Sequence, residues 1–303
     1  QLRMKKIHVG ILISYDYQYA PTCIRQIYNH ADRITLAIDV NRRTWNGEKY
    51  AMSEDFLKGI KASDPERKIH IYEDDFSIPG LSAMENDTRE RNMLAERMGS
   101  AEDQWHIQVD SDEYFVDFGA FVSFLHAIEK KVHKPLAVWV EWVTLLKKDP
   151  DGFLYVDNAS RKEMAVVATN DPHYTAARLN TSLKITNLYC NHRLLHQSWA
   201  RPETEIYQKI HNWSHNTDVD AEGYFNFWKS TNRHNAPFLR DFHPFPQCRA
   251  TWHTLKFIPG DIDDIIASLR NDYHPSNKLA PKQYIKAVVK RVLRQLHIRR
   301  NPV

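Results

Sequence analysis

Apolar residues along this chain fall in short runs separated by polar and turn residues. Residues 6–13 (Lys-Ile-His-Val-Gly-Ile-Leu-Ile), 33–39, 68–73 and 105–110 are each rich in β-branched or aromatic positions, a pattern that predicts strands. Residues 21–31 predict a helix, with Pro21 in its first turn and Ile24 and Ile27 on one face. Residues 85–98 predict a second, with Met93, Leu94 and Met98 as its apolar contacts. Strand, helix and strand in this order make a βαβ unit with a parallel pair. The alternation predicts an α/β fold with a Rossmann-like sheet.

The fourth run ends abruptly in acid: Trp105-His106-Ile107-Gln108-Val109-Asp110-Ser111-Asp112-Glu113. Carboxylates there would emerge at the sheet rim, where open α/β folds bind ligands. In an extended segment Asp110 and Asp112 point the same way. Two such carboxylates repel unless a cation lies between them. Mn²⁺ or Mg²⁺ would remove the repulsion, and Mg²⁺ favours one or two carboxylates plus substrate phosphates. Asp-Ser-Asp is therefore a candidate for holding a metal against a diphosphate, with an acidic turn as the competing reading. Asp39 ends the second strand and should also reach the rim, as a nucleotide contact or a turn acid. Arg91 and Asn92, just before the acid-tipped strand, are candidates to touch a nucleotide; the alternative is a solvated helix face. No glycine-rich phosphate loop or dinucleotide fingerprint occurs.

Further on, residues 118–132 predict a helix and 136–143 a long strand. Asp149-Pro150-Asp151-Gly152 is a turn signal before a partner strand at 153–156. Trp139, Trp142 and Tyr155 offer either sugar-stacking faces or core packing. Residues 191–215 are densely polar, and Pro202 opens a helix with Glu203 and Glu205 in its first turn. After Asp220 the chain reads as irregular and aromatic, up to a short helix at 262–269. Residues 281–296 predict a basic amphipathic helix, suited equally to docking on the fold and to an anionic membrane surface.

Composition narrows the class. Hydrophobic residues make up 42% and charged residues 26% of 303, which excludes a disordered chain. No apolar run approaches the roughly 20 residues of a membrane span. The three cysteines are far apart and suggest neither zinc nor a disulfide framework. A net charge of +3 is too small to imply nucleic acid. With no signal peptide evident, the expectation is a cytoplasmic protein, at the inner face of the membrane if residues 281–300 dock there.

The first strand, Ala37-Ile38-Asp39, the Arg91-Asn92-Met93-Leu94-Ala95 helix and Gln108-Val109-Asp110-Ser111-Asp112-Glu113 together resemble the nucleotide-sugar-binding half of GT-A glycosyltransferases. The nearest likeness is to family 2-like bacterial enzymes of surface polysaccharide synthesis, over roughly residues 5–118. The resemblance implies a UDP- or GDP-type sugar donor, with Asp39 near the base and Asp110, Ser111 and Asp112 at the diphosphate and its Mn²⁺ or Mg²⁺. It divides the chain into a nucleotide-sugar half (1–118), an acceptor-binding and catalytic half (119–260) and a helical basic tail (261–303). Where family members carry Pro and Asn after the first strand, this chain has Ser14-Tyr15-Asp16-Tyr17, so Tyr15 and Asp16 become the first-loop candidates. The resemblance also implies an inverting transfer to a glycan or lipid-linked acceptor, with a base at the start of a later helix: Glu205 first, then Glu203. A later histidine, His196 or His215, would complete the metal site. Arg193, Arg201 and Lys209 would neutralise the leaving diphosphate. On this reading Asp112→Ala abolishes transfer and leaves the fold intact. A metal-dependent nucleotidyltransferase or phosphodiesterase, or a non-catalytic carbohydrate-binding scaffold, are the competing functions.

Overall fold

The computed structural model describes residues 4–130, 134–157, 162–212, 219–245, 248 and 251–276. Its centre is a parallel sheet: β1 (Lys6–Ile13) lies between β2 (Arg33–Asp39) and β4 (Gln104–Asp110), and β3 (Ile69–Asp74) flanks β2. β1 is buried from Ile7 to Ile13, so both faces of the sheet are covered, as parallel sheets require. α1 (Ala20–Ile27) and α4 (Phe118–Glu129) pack their buried residues into the main core. α3 (Ala83–Met98) crosses β1 at Gly10, where a Cβ would lie 2.8 Å from Leu94 and Met98 side-chain atoms. That close approach fixes the height of α3, and with it the position of Arg91.

The sheet continues with antiparallel members. β4 (Gln104–Asp110) pairs with β8 (Met164–Thr169), then come β6 (Leu136–Asp149), β7 (Gly152–Asp157) and β10 (Thr254–Pro259). β9 (Thr186–His196) pairs with β6 and with the short β5 (Glu113–Phe115). The fold is thus the expected α/β class, with a Rossmann-like parallel part and a mixed second half.

Several elements differ from expectation. The first helix ends at Ile27 and gives way to a 3-10 turn. α3 starts two residues early because Ser82 and Glu85 form a capping box, which makes Glu85 the third helical residue rather than the first. α2 (Glu54–Ala62), β8, β9 and β10 add elements where no periodic run stood out. The stretch after Asp220 is a helix, α6 (Ala221–Ser230), not irregular chain. Asp220 caps it through the Gly223 N–H, and a Cβ at Gly223 would lie 2.1 Å from that carboxylate. Trp228 of α6 joins Ile206 and Ile210 of α5 (Glu203–Asn212), with Trp199 and Trp252, in a second core under β6 and β7. No helix among the described residues is long and apolar enough to cross a membrane. The basic segment 281–300 lies outside the described residues.

Candidate active site

A cavity of about 290 Å³ opens at the carboxyl ends of β1 and β4, where open α/β sheets bind ligands. Its lining includes Ser14, Tyr15, Asp16, Asp110, Ser111 and Asp112. It also includes Trp142, Glu163, His196, His243 and Trp252.

Asp110 ends β4, and Asp112 lies in the turn to β5, so strand alternation does not align them. They line one cavity yet hold different partners. Asp110 accepts a 2.8 Å bond from Arg91, whose Nε is also held by Asp87 at 2.6 Å. Asp112 is 3% exposed and accepts from Arg201, with His196 Nε2 at 3.5 Å and Lys209 Nζ at 3.8 Å. Burial alone would raise both carboxyls. For Asp110, Arg91 and Arg178 outweigh it and lower the pKa. For Asp112, His196, Arg201 and Lys209 hold it well below the usual carboxylate range. The cations that relieve the Asp110–Asp112 repulsion are thus already built into the protein.

Arg201 is the hub. It is fully buried, reaches Asp16 at 2.9 Å as well as Asp112, and lies over the Tyr19 ring. Ser111 Oγ donates to Asp16 at 3.1 Å. The first-loop candidates Tyr15 and Asp16 are therefore brought to the acid pair, and burial raises the Tyr15 phenol. His196 is brought there too, stacked face to face on Trp142 at 4.3 Å. His215 lies outside the described residues.

Other candidates go elsewhere. Asp39 is a turn acid: it accepts from the backbone N–H groups of Asn41, Arg43 and Phe76 and does not line the cavity. Asn92 bonds the backbone N–H and C=O of Tyr174, anchoring the 170–181 loop on α3. Arg193 pairs with Glu141 and covers Tyr273, outside the cavity lining. Glu203 is a surface acid paired with Lys229. Glu205 accepts from the Tyr19 hydroxyl at 2.7 Å and is also outside the lining. Trp139 stacks on Tyr189 and does not line the cavity.

Some lining residues carried no sequence signal. Arg178 grips Glu113 with two bonds, and Glu113 in turn accepts from the Asp110 N–H. Glu90 is buried with Trp45 Nε1 donating to it at 2.7 Å, and burial pushes its carboxyl up to about 8. Glu163 is likewise raised by burial.

Among the described residues no group of three His, Cys, Asp or Glu could hold a metal alone. Asp110 and Asp112 nevertheless each keep one oxygen free of hydrogen bonds among the described residues, in a shared cavity. Two carboxylates completed by substrate phosphates suit a hard divalent ion, so the donor set fits Mg²⁺ or Mn²⁺ in the company of a substrate.

No protein-family model and no curated protein matches the chain. Among solved structures it is similar to mannose-6-phosphate isomerase from Helicobacter pylori, at 15% identity and a TM-score of 0.29 over 51% of this chain and 56% of that one. It is similar to a 4-diphosphocytidyl-2C-methyl-D-erythritol synthase at 8% identity and 0.32, over 55% and 74%. A Francisella tularensis 2-C-methyl-D-erythritol 4-phosphate cytidylyltransferase matches at 12% and 0.29, over 89% and 100%. Likeness this weak says nothing of the reaction.

Proposed function

We propose that the chain is a glycosyltransferase that moves a sugar, with inversion, from a UDP- or GDP-type donor to a glycan or lipid-linked acceptor. The observation that carries this reading is the mixed lining of the cavity. Its lining gathers two ionised aspartates with Arg91, Arg178 and Lys209, backed by the buried Arg201, and also carries the indoles of Trp142 and Trp252 and the Glu163 carboxyl. Guanidinium and ammonium groups suit a diphosphate; indole faces suit a sugar ring. Asp110 and Asp112 would hold Mn²⁺ or Mg²⁺, which when bound supplies Lewis-acid neutralisation of the leaving diphosphate. Lys209 and Arg178 would steady the same charge, and Tyr15 would close the donor end.

A nucleotidyltransferase would use the same acids and cations. It lacks a need for the aromatic lining, which favours transfer to a sugar. The test is thermal unfolding with UDP, GDP, their sugars and nucleoside triphosphates, with Mn²⁺ and with chelator. A ligand at a hundred times its dissociation constant adds about 2.7 kcal/mol. A shift with one nucleoside diphosphate, followed by its release from the matching nucleotide sugar, is the expected result. Pyrophosphate release from a triphosphate would replace this reading with the nucleotidyltransferase one. No shift with any ligand would leave the scaffold.

A further inference from the structure

Glu163 lies opposite Trp142 at the entry to β8, where its backbone C=O accepts from the Trp142 N–H at 2.8 Å. Its side chain lines the cavity. One oxygen accepts from Trp252 Nε1 at 2.8 Å and from Thr144 Oγ1 at 3.2 Å. The other has no hydrogen bond among the described residues and faces His243 Nε2 at 4.0 Å. The Phe245 N–H donates to His243 Nδ1 at 3.0 Å, so the neutral ring carries its proton on Nε2. Burial pushes His243 down to about 4, which keeps it neutral. A hydroxyl seated between the two would meet an acceptor on one side and a donor on the other. Tyr224 contributes a buried hydroxyl without a partner among the described residues, within electrostatic reach of Glu163. His196, 3.5 Å from Asp112, is within electrostatic reach of this carboxyl.

We propose that Glu163 is the general base of the transfer, with His243 holding the attacking hydroxyl. This rests on the glycosyltransferase reading. The acceptor O–H proton passes to the free Glu163 oxygen as the acceptor oxygen bonds to the anomeric carbon. The bond from that carbon to the phosphate oxygen breaks, and its electron pair leaves with the nucleoside diphosphate. Glu163 then returns the proton to solvent. Burial places the carboxyl nearer the working pH than a surface glutamate, as a base requires. Among the described residues no arginine or lysine bonds it, which leaves it able to cycle.

The experiment measures release of nucleoside diphosphate from UDP- and GDP-sugars, with water as acceptor, by the full chain and by Glu163→Gln, Glu163→Ala and Glu205→Gln. Binding of UDP and GDP is followed separately by calorimetry. Glu163→Gln should bind the nucleotide within about threefold of wild type and lose about 10²–10⁴-fold in turnover. The acid limb of the wild-type pH profile should vanish. Added formate should restore part of the turnover of Glu163→Ala, which a purely structural role would not allow. Turnover of a folded Glu163→Gln within a few-fold of wild type, or loss confined to Glu205→Gln, overturns the proposal. If wild type neither binds nor releases a nucleoside diphosphate, the glycosyltransferase reading itself has failed and this role falls with it.

Discussion

Among the six carboxyls that line one cavity, Asp110 and Asp112 contrast with Glu90 and Glu163. Asp112 is buried and Asp110 partly so, yet both are ionised, because Arg91, Arg178, Arg201, Lys209 and His196 surround them. Glu90 is buried and Glu163 half-buried, each with an indole N–H donor instead, and their pKa values rise. Burial acts the same way on all four; the neighbours decide the outcome. Environments that push acids apart in this way assign them different work. The low pair suits fixed charge at a phosphate, and the high pair suits proton exchange or neutral hydrogen bonding.

The sharpest test separates the two aspartates. Asp112 is 3% exposed and is the shared counter-ion of a fully buried Arg201, Lys209 and His196. Removing one partner of a buried pair typically costs about 3–5 kcal/mol. Asp112→Asn should therefore lose that much in urea unfolding, along with activity. This revises the expectation that replacing Asp112 spares the fold. Asp110 is 29% exposed, and Arg91 keeps Asp87 in its absence. Asp110→Asn should cost only about 1–2 kcal/mol while also losing activity. Equal destabilisation by both would erase the distinction between them.

A pH series probes the high pair. Burial pushes the Glu90 carboxyl up to about 8 in the fold, against the ordinary glutamate value of 4.5. Between those values the folded state keeps its proton and the unfolded state has lost it. Stability should therefore fall as pH rises through that window, by about 1.4 kcal/mol per unit. Below the window both states are protonated and the contribution is flat. From pH 6 to pH 8 wild type should lose up to about 2–3 kcal/mol relative to Glu90→Gln, which has no such proton to release. Parallel curves for the two proteins would show Glu90 ionised in the fold.

The low pair was legible in the sequence and the high pair was not. Asp110 and Asp112 follow an apolar strand, and strand ends at a sheet rim are visible in a pattern. Arg91 was legible as a polar residue placed just before them. Glu163 follows Arg161 and Lys162 and reads as solvated charge; its burial depends on Trp252, 89 positions away. Arg178 is drawn in by Glu113, 65 positions away. The rim position of Asp39 was also legible, but not that backbone N–H groups fill its carboxylate. The aromatic stretch of α6 looked irregular because its helix depends on a second core contributed by distant segments. Local pattern fixes which residues reach an edge, and long-range packing fixes what they meet there.

The smallest effects belong to the two acids of α5, and they test where the cavity wall ends. Glu205 is tied to Tyr19, whose ring lies under Arg201. Glu205→Gln and Tyr19→Phe should each cost about 1.5 kcal/mol, the low end for a hydrogen bond to a charged group. The double variant should cost little beyond either single change, because both remove the same contact. Glu203 meets Lys229 with both side chains about half exposed, and solvent screens such pairs. Glu203→Ala should shift stability by less than about 0.5 kcal/mol and leave nucleotide affinity unchanged. Loss of nucleotide affinity in Glu203→Ala would mean that the ligand extends past α5, beyond the wall that Lys209 now closes.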